Sequence, residues 1–118
     1  MQKNNVCAIN VAGMGGTSWA GIEQKRAIKA NLSSKINMGL VLWDWGLPTA
    51  ASLLLAKKSV KLPLVSSGGM RNGLDLAKSI ILGASMCAYA QPMIKHASKS
   101  YNSLTQFIED LHLSLIHI

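Results

Sequence analysis

Short apolar runs alternate along the chain with stretches of helical period, and glycines stand at the joins. Val6–Ala12 is small, apolar and β-compatible and stops at Gly13-Met14-Gly15-Gly16, the pattern of a buried strand ending in a loop. Ala20–Ala30 then carries Glu23, Lys25, Arg26 and Lys29 outward at helical spacing, and Asn31–Gly39 is predicted to break up. After Trp43-Asp44-Trp45-Gly46, Pro48 suits the first helical position and Thr49–Lys58, rich in Ala and Leu, reads as a helix. Lys61–Ser67 is a second buried strand, with Pro63 near its start, where a missing donor is tolerated. Gly68-Gly69-Met70-Arg71 makes a tight turn, Asn72 is the N-cap of the next helix with Asp75 as a short capping-box acid, and Gly83 is its C′ residue. Ala84–Ala90 is a third strand and Pro92 opens another helix. Tyr101–Leu111 is amphipathic, with Leu104, Phe107, Ile108 and Leu111 on one side and Glu109 and Asp110 on the other.

Three strands that are apolar on both faces, each followed by a helix, describe a parallel α/β arrangement. Length limits it: 118 residues make one modest domain, and a closed eight-stranded barrel needs about 250. A hydrophobic fraction of 49% with 14% charged residues argues for a packed core over disorder. The longest uncharged stretch that could span a membrane, Ser79–Ile94, carries Gly83, Ser85, Gln91 and Pro92, which hydrocarbon tolerates poorly. Met1–Asn5 opens straight into a strand-like segment, so no secretory signal is predicted. Cys7 and Cys87 each sit in an apolar stretch, as reduced thiols do, which predicts a reducing, cytoplasmic setting. Twelve Lys and Arg against five Asp and Glu give +7, but the lysines are scattered. A solvated surface explains them better than a nucleic-acid face.

The sharpest candidate for chemistry is Ser66-Ser67-Gly68-Gly69-Met70-Arg71-Asn72-Gly73. Paired glycines after a buried strand let backbone approach a ligand, the following helix aims free N–H groups there, and Arg71 adds a fork of donors for a phosphate. Gly83-Ala84, with the end of the third strand at Ala90-Gln91, would be a second wall. A plain glycine turn before a capped helix, with Arg71 on the surface, accounts for the same spacing. A second glycine loop, Gly13-Met14-Gly15-Gly16-Thr17-Ser18-Trp19, stands at the same sheet edge, where ligands of parallel sheets collect. Its alternative is a glycine loop with a packing tryptophan. His96, His112 and His117 lack carboxylate or thiolate partners at ligand spacing, so no metal site is assigned. Glu23 and Arg26, one helical turn apart, suit a local pair as well as a site contact.

Val11–Ala20, Ile22-Glu23 with Arg26, Trp45–Ala50 with Ser52-Leu53, and Ser67–Asp75 together closely resemble the type 2 isopentenyl-diphosphate delta-isomerase family, in order, over about residues 6–98. The resemblance implies a partial TIM (β/α)8 barrel made of the last three βα units, strands six to eight. Residues 1–110 would then be a carboxyl-terminal portion of an FMN-binding barrel and residues 111–118 an atypical tail from a truncated reading frame. It further implies an FMN phosphate cradle from Gly68, Gly69, Met70 and Arg71 with Ala90 and Gln91, and a flavin contact from Thr17. The implied reaction is the interconversion of isopentenyl diphosphate and dimethylallyl diphosphate on reduced FMN, with Mg²⁺ on the diphosphate and NADPH as reductant. The full-length enzyme would be a homo-oligomer, acting without nucleic acid or membrane. No catalytic residue is assigned, because the family's acid–base and diphosphate-gripping groups lie in segments without a counterpart here, and activity of this chain alone is not expected. Asn10 stands where the family usually carries aspartate. An α-hydroxy-acid oxidase would need a histidine, and an inosine-monophosphate dehydrogenase a cysteine, in the loop Gly13–Trp19, which has neither. The alternatives are a non-catalytic flavin- or phosphate-binding fragment and another FMN-dependent TIM-barrel oxidoreductase. Unpartnered strand edges also predict self-association.

Overall fold

Strand alternation decides the layering. In the computed structural model, which describes residues 5–15 and 17–116, β1 (Ile9–Ala12) pairs parallel with β2 (Leu64–Ser67), and β2 with β3 (Met86–Cys87). Ile9 lies beside Leu64, Val11 beside Ser66, and Ser66 beside Cys87. Partners in a parallel ladder share a face, so these residues form one face and Asn10, Ala12, Val65, Ser67 and Met86 the other. On the first face Leu53, Leu64 and Ala84 form the core cluster, with Ile9, Val11, Ala56, Val60, Leu82 and Cys87 packed against it. Leu53 comes from α3 (Thr49–Ser59), and α4 (Gly73–Ile81) adds a buried hydroxyl pair, Ser66 to Ser79 at 3.0 Å. On the other face Asn10, Ala12 and Met86 stay exposed.

The expected fold class needs correction. The described residues form six helices and one open sheet of order β1-β2-β3, not a part of a TIM barrel. Closure requires every strand to have two neighbours, whereas β1 and β3 have only β2. The radius of gyration, 17.1 Å, also exceeds the ~13–14 Å of a compact domain of this length. The core is correspondingly thin, and Trp19, Val41, Trp45 and Ile81 are each at least 75% exposed, which provides apolar surface for self-association.

Local signals placed most helices. α1 (Trp19–Lys29) starts at Ser18, whose Oγ accepts the Gly21 N–H at 3.1 Å and donates to the Trp43 carbonyl at 2.7 Å. Asn72 caps α4 through the Asp75 N–H at 3.0 Å, and Gly83 follows at φ +104°. α5 (Gln91–Ala97) carries Pro92 in its first turn. Pro48 is the N-cap of α3 and not its first helical residue.

Three elements differ from expectation. Asn31–Gly39 was expected to break up, yet Ser33–Val41 is a helix, α2. Gly39 there is a crossing point, not a breaker: a Cβ on it would meet Gln24 Cβ at 2.6 Å. The third strand is confined to Met86–Cys87, flanked by single bonds from Ser85 N–H to Leu64 O and from Ala88 N–H to Ser66 O, each 2.8 Å. The last helix, α6 (Tyr101–Ile116), runs past the expected end at Leu111, and its Ser114 lies where a Cβ on Gly73 would have to go. Gly16 of the first glycine loop, and His117 and Ile118 of the tail, lie outside the described residues.

Candidate functional site

Glycines let three loops touch at the carboxyl ends of the strands. A Cβ on Gly69 would come within 2.6 Å of Gly15 Cα, and one on Gly68 would run into the Gly13 carbonyl. Both residues have φ in the left-handed region, +93° at Gly68 and +77° at Gly69, where a side chain is strained. The third loop precedes α3. Met14 N–H donates to Leu47 O at 2.7 Å, and Thr49 Oγ1 donates to Gly68 O at 2.6 Å. The glycines read from sequence as room for a ligand thus serve first to seat one loop on another.

Thr17, Gly68, Gly69, Met70, Arg71, Ala90 and Gln91 are brought together as walls of one cavity of about 490 Å³, shared with Gly15, Ser67, Ala88 and Tyr89. Their contributions differ. The Met70 side chain is buried, with the Ser79 hydroxyl 3.7 Å from its sulfur, so Met70 offers the cavity backbone only. Arg71 N–H is already given to Asp75 Oδ2 at 3.0 Å, which leaves the guanidinium as that residue's free donor. It forms no ion pair among the described residues. The amides of Gly68, Gly69 and Met70 meet no backbone carbonyl acceptor among the described residues. On the sheet face beneath, Ser67 Oγ donates to Asn10 Oδ1 at 2.7 Å.

A second cavity of about 690 Å³ adjoins the first through Gly15, Thr17, Gly68 and Gly69, with Met14, Trp19, Leu42, Trp45 and Leu47 among its walls. One continuous cleft therefore has a donor-rich end and an apolar end. No Asp, Glu, His or Lys stands among the described lining residues of either cavity. The cleft can bind an anion with an apolar body attached, but it holds no carboxylate or imidazole for proton transfer.

The remaining candidates lie elsewhere. Glu23 Oε1 pairs with Arg26 at 2.6 Å on the exposed side of α1. His96 stacks on Phe107 with centroids 4.6 Å apart, and its Nδ1 is 3.0 Å from Ser103 Oγ. Among the described residues no three His, Cys, Asp or Glu side chains gather into a metal-holding group, and no helix is long and apolar enough to cross a membrane.

Sequence reasoning passed over Tyr89, a wall of the first cavity whose hydroxyl donates to Asn72 O at 2.8 Å. Burial first, then the nearby Cys87 and Asp75 charges, push this phenol up to about 12, so it remains a donor at neutral pH. Burial likewise raises the Cys87 thiol, opposed by Ser79. Tyr89 precedes Ala90, and its place between the two expected walls was the available signal. Thr49 was legible within Trp45–Ala50, but its partner was not.

No protein-family model matches the chain. Curated relatives do. It is 43% identical over 115 residues to the isopentenyl-diphosphate delta-isomerase of Methanothermobacter thermautotrophicus, covering 98% of this chain and 31% of the relative. The enzyme of that name from Methanosarcina mazei is 46% identical over 107 residues, 91% of this chain and 29% of its own. That from Picrophilus torridus is 42% identical over 115 residues, 94% and 32%. These names specify no type and the matches assign no carboxyl-terminal position, which corrects the narrower expectation of a type 2 carboxyl-terminal portion. The supported relationship is similarity, over nearly all of this chain, to isopentenyl-diphosphate delta-isomerases of which it spans about 30% of the length.

Proposed function

We propose that the donor-rich end of the cleft holds the phosphate of FMN and that the chain takes part in interconverting isopentenyl diphosphate and dimethylallyl diphosphate. The observation that carries this is the convergence of Thr17, Gly68, Gly69, Met70, Arg71, Ala90 and Gln91 on one cavity, in a chain similar to isomerases of that name.

The donor set suits a phosphate. The Gly68–Met70 amides and the Arg71 guanidinium would face the anion, while Gln91 and Thr17 offer neutral polar groups at its margin. The adjoining apolar cavity, with Trp45 and Leu47, suits the body of a flavin or a prenyl chain. When bound and reduced, FMN supplies the proton chemistry of the allylic shift. This chain's residues bind and orient it. NADPH enters the reading only as the reductant. Mg²⁺ finds no carboxylate set here among the described residues, so no step is assigned to it. The free thiols of Cys7 and Cys87 accord with a reducing cytoplasm.

A cleft with no carboxylate or imidazole among its described lining residues also suits a phosphate-binding module without turnover. Titrating the 118-residue chain with FMN and with riboflavin, followed by an isomerase assay with reduced FMN, separates the readings. Tighter binding of FMN than of riboflavin is the expected result, and equal binding refutes the phosphate site. Turnover by this chain excludes the module. Arg71→Ala is expected to weaken FMN by about 1–3 kcal/mol, on the order of 5- to 150-fold in Kd. An unchanged Kd would put Arg71 on the surface.

A further inference from the structure

The geometry points to Tyr89 as a positioning residue that fixes the spacing of the two walls of the anion cavity; this rests on the phosphate reading above. One wall is Gly68–Arg71, after β2, and the other is Ala90-Gln91, after β3. The ladder between these strands has its last bond at Ala88 N–H to Ser66 O, 2.8 Å, before either wall begins. Beyond it, among the described residues, the hydrogen bond joining residues 89–91 to residues 68–72 is Tyr89 O–H to Asn72 C=O at 2.8 Å.

Both ends of that link are held. Asn72 is fixed because its side chain caps α4 through Asp75 N–H, and the Asp75 carboxylate in turn accepts Arg71 N–H, each at 3.0 Å. The Tyr89 ring stands edge-on to Phe107 of α6, with centroids 6.2 Å apart and planes at 80°, a favoured aromatic geometry. Phe107 is stacked in turn on His96 of α5. The two terminal helices thus aim the hydroxyl, and the hydroxyl sets the gap between Arg71 and Gln91. A phenol is protonated throughout the neutral range, and burial pushes that of Tyr89 further up, so the donor is present at neutral pH. A tyrosine that only packs would need the ring and not the oxygen.

Tyr89→Phe keeps the ring and removes the oxygen. Kd is read for FMN and for riboflavin by flavin fluorescence on the full chain, beside a thermal melt. The wild type is expected to prefer FMN. In Tyr89→Phe the FMN Kd should rise about three- to tenfold, the usual effect of one lost neutral hydrogen bond, with riboflavin unchanged. A preference for FMN equal to the wild type's, or the same loss for both ligands, overturns the assignment while leaving the phosphate site standing. A wild type that binds both alike overturns the site and the assignment together. Phe107→Leu, which retains the hydroxyl but removes the ring that aims it, gives a second reading should Tyr89→Phe fold poorly. It should lower the FMN preference part of the way, and an undiminished preference counts against the proposal.

Discussion

Gly69→Ala is expected to destabilise the protein by about 2–5 kcal/mol, from left-handed strain of ~1–2 kcal/mol and overpacking of ~1–3 kcal/mol. Gly69 sits at φ +77°, and its added Cβ would lie 2.6 Å from Gly15 Cα and 2.7 Å from Gly15 C. Backbone cannot rotate away as a flexible side chain could. The Gly13–Gly15 loop would have to lift from the turn, endangering the Gly13 N–H bond to Ser67 O and the Met14 N–H bond to Leu47 O. Small domains hold only about 5–15 kcal/mol in total, so most of the folded population is at risk, and with it the cavity these loops enclose. Urea denaturation measures the loss. A change below ~1 kcal/mol would mean that the two glycine loops do not touch.

Leu53→Ala is expected to cost about 2–5 kcal/mol, the range for emptying a buried leucine site. Leu53 has no exposed surface and joins Leu64 and Ala84 at the centre of the only layer between α3 and the sheet among the described residues. Few other large side chains are fully buried to share the load, which argues for the upper part of that range. Leu55 on the same helix is 53% exposed, and Leu55→Ala should stay within ~0.5 kcal/mol. Equal losses at the two positions would show that α3 does not present Leu53 to the sheet.

The sites of these two effects were unequally legible. Leu53 lay in a predicted helix, but an Ala- and Leu-rich run does not declare which leucine faces inward, and only the sheet beneath selects it. Gly69 stood out as half of a Gly-Gly turn, but its necessity comes from Gly15, more than fifty residues away in the chain. The resemblance supplied a barrel as architecture, and the open three-stranded sheet replaced it, because closure depends on neighbours for β1 and β3 that local pattern does not provide. α2 was missed for a related reason: Gly39 reads as a breaker until Gln24 is seen against it.

From sequence alone came the order of the strands and of the helices other than α2, the parallel character of the sheet and the Asn72 cap. Each of these depends on period, capping or glycine placement within a few residues, where covalent geometry and local hydrogen bonding dominate. Tertiary structure alone decided that the sheet is open, that the glycine loops rest on each other and that Tyr89 ties one cavity wall to the other. Those outcomes depend on contacts between segments far apart in the chain, whose geometry exists only once the chain has folded.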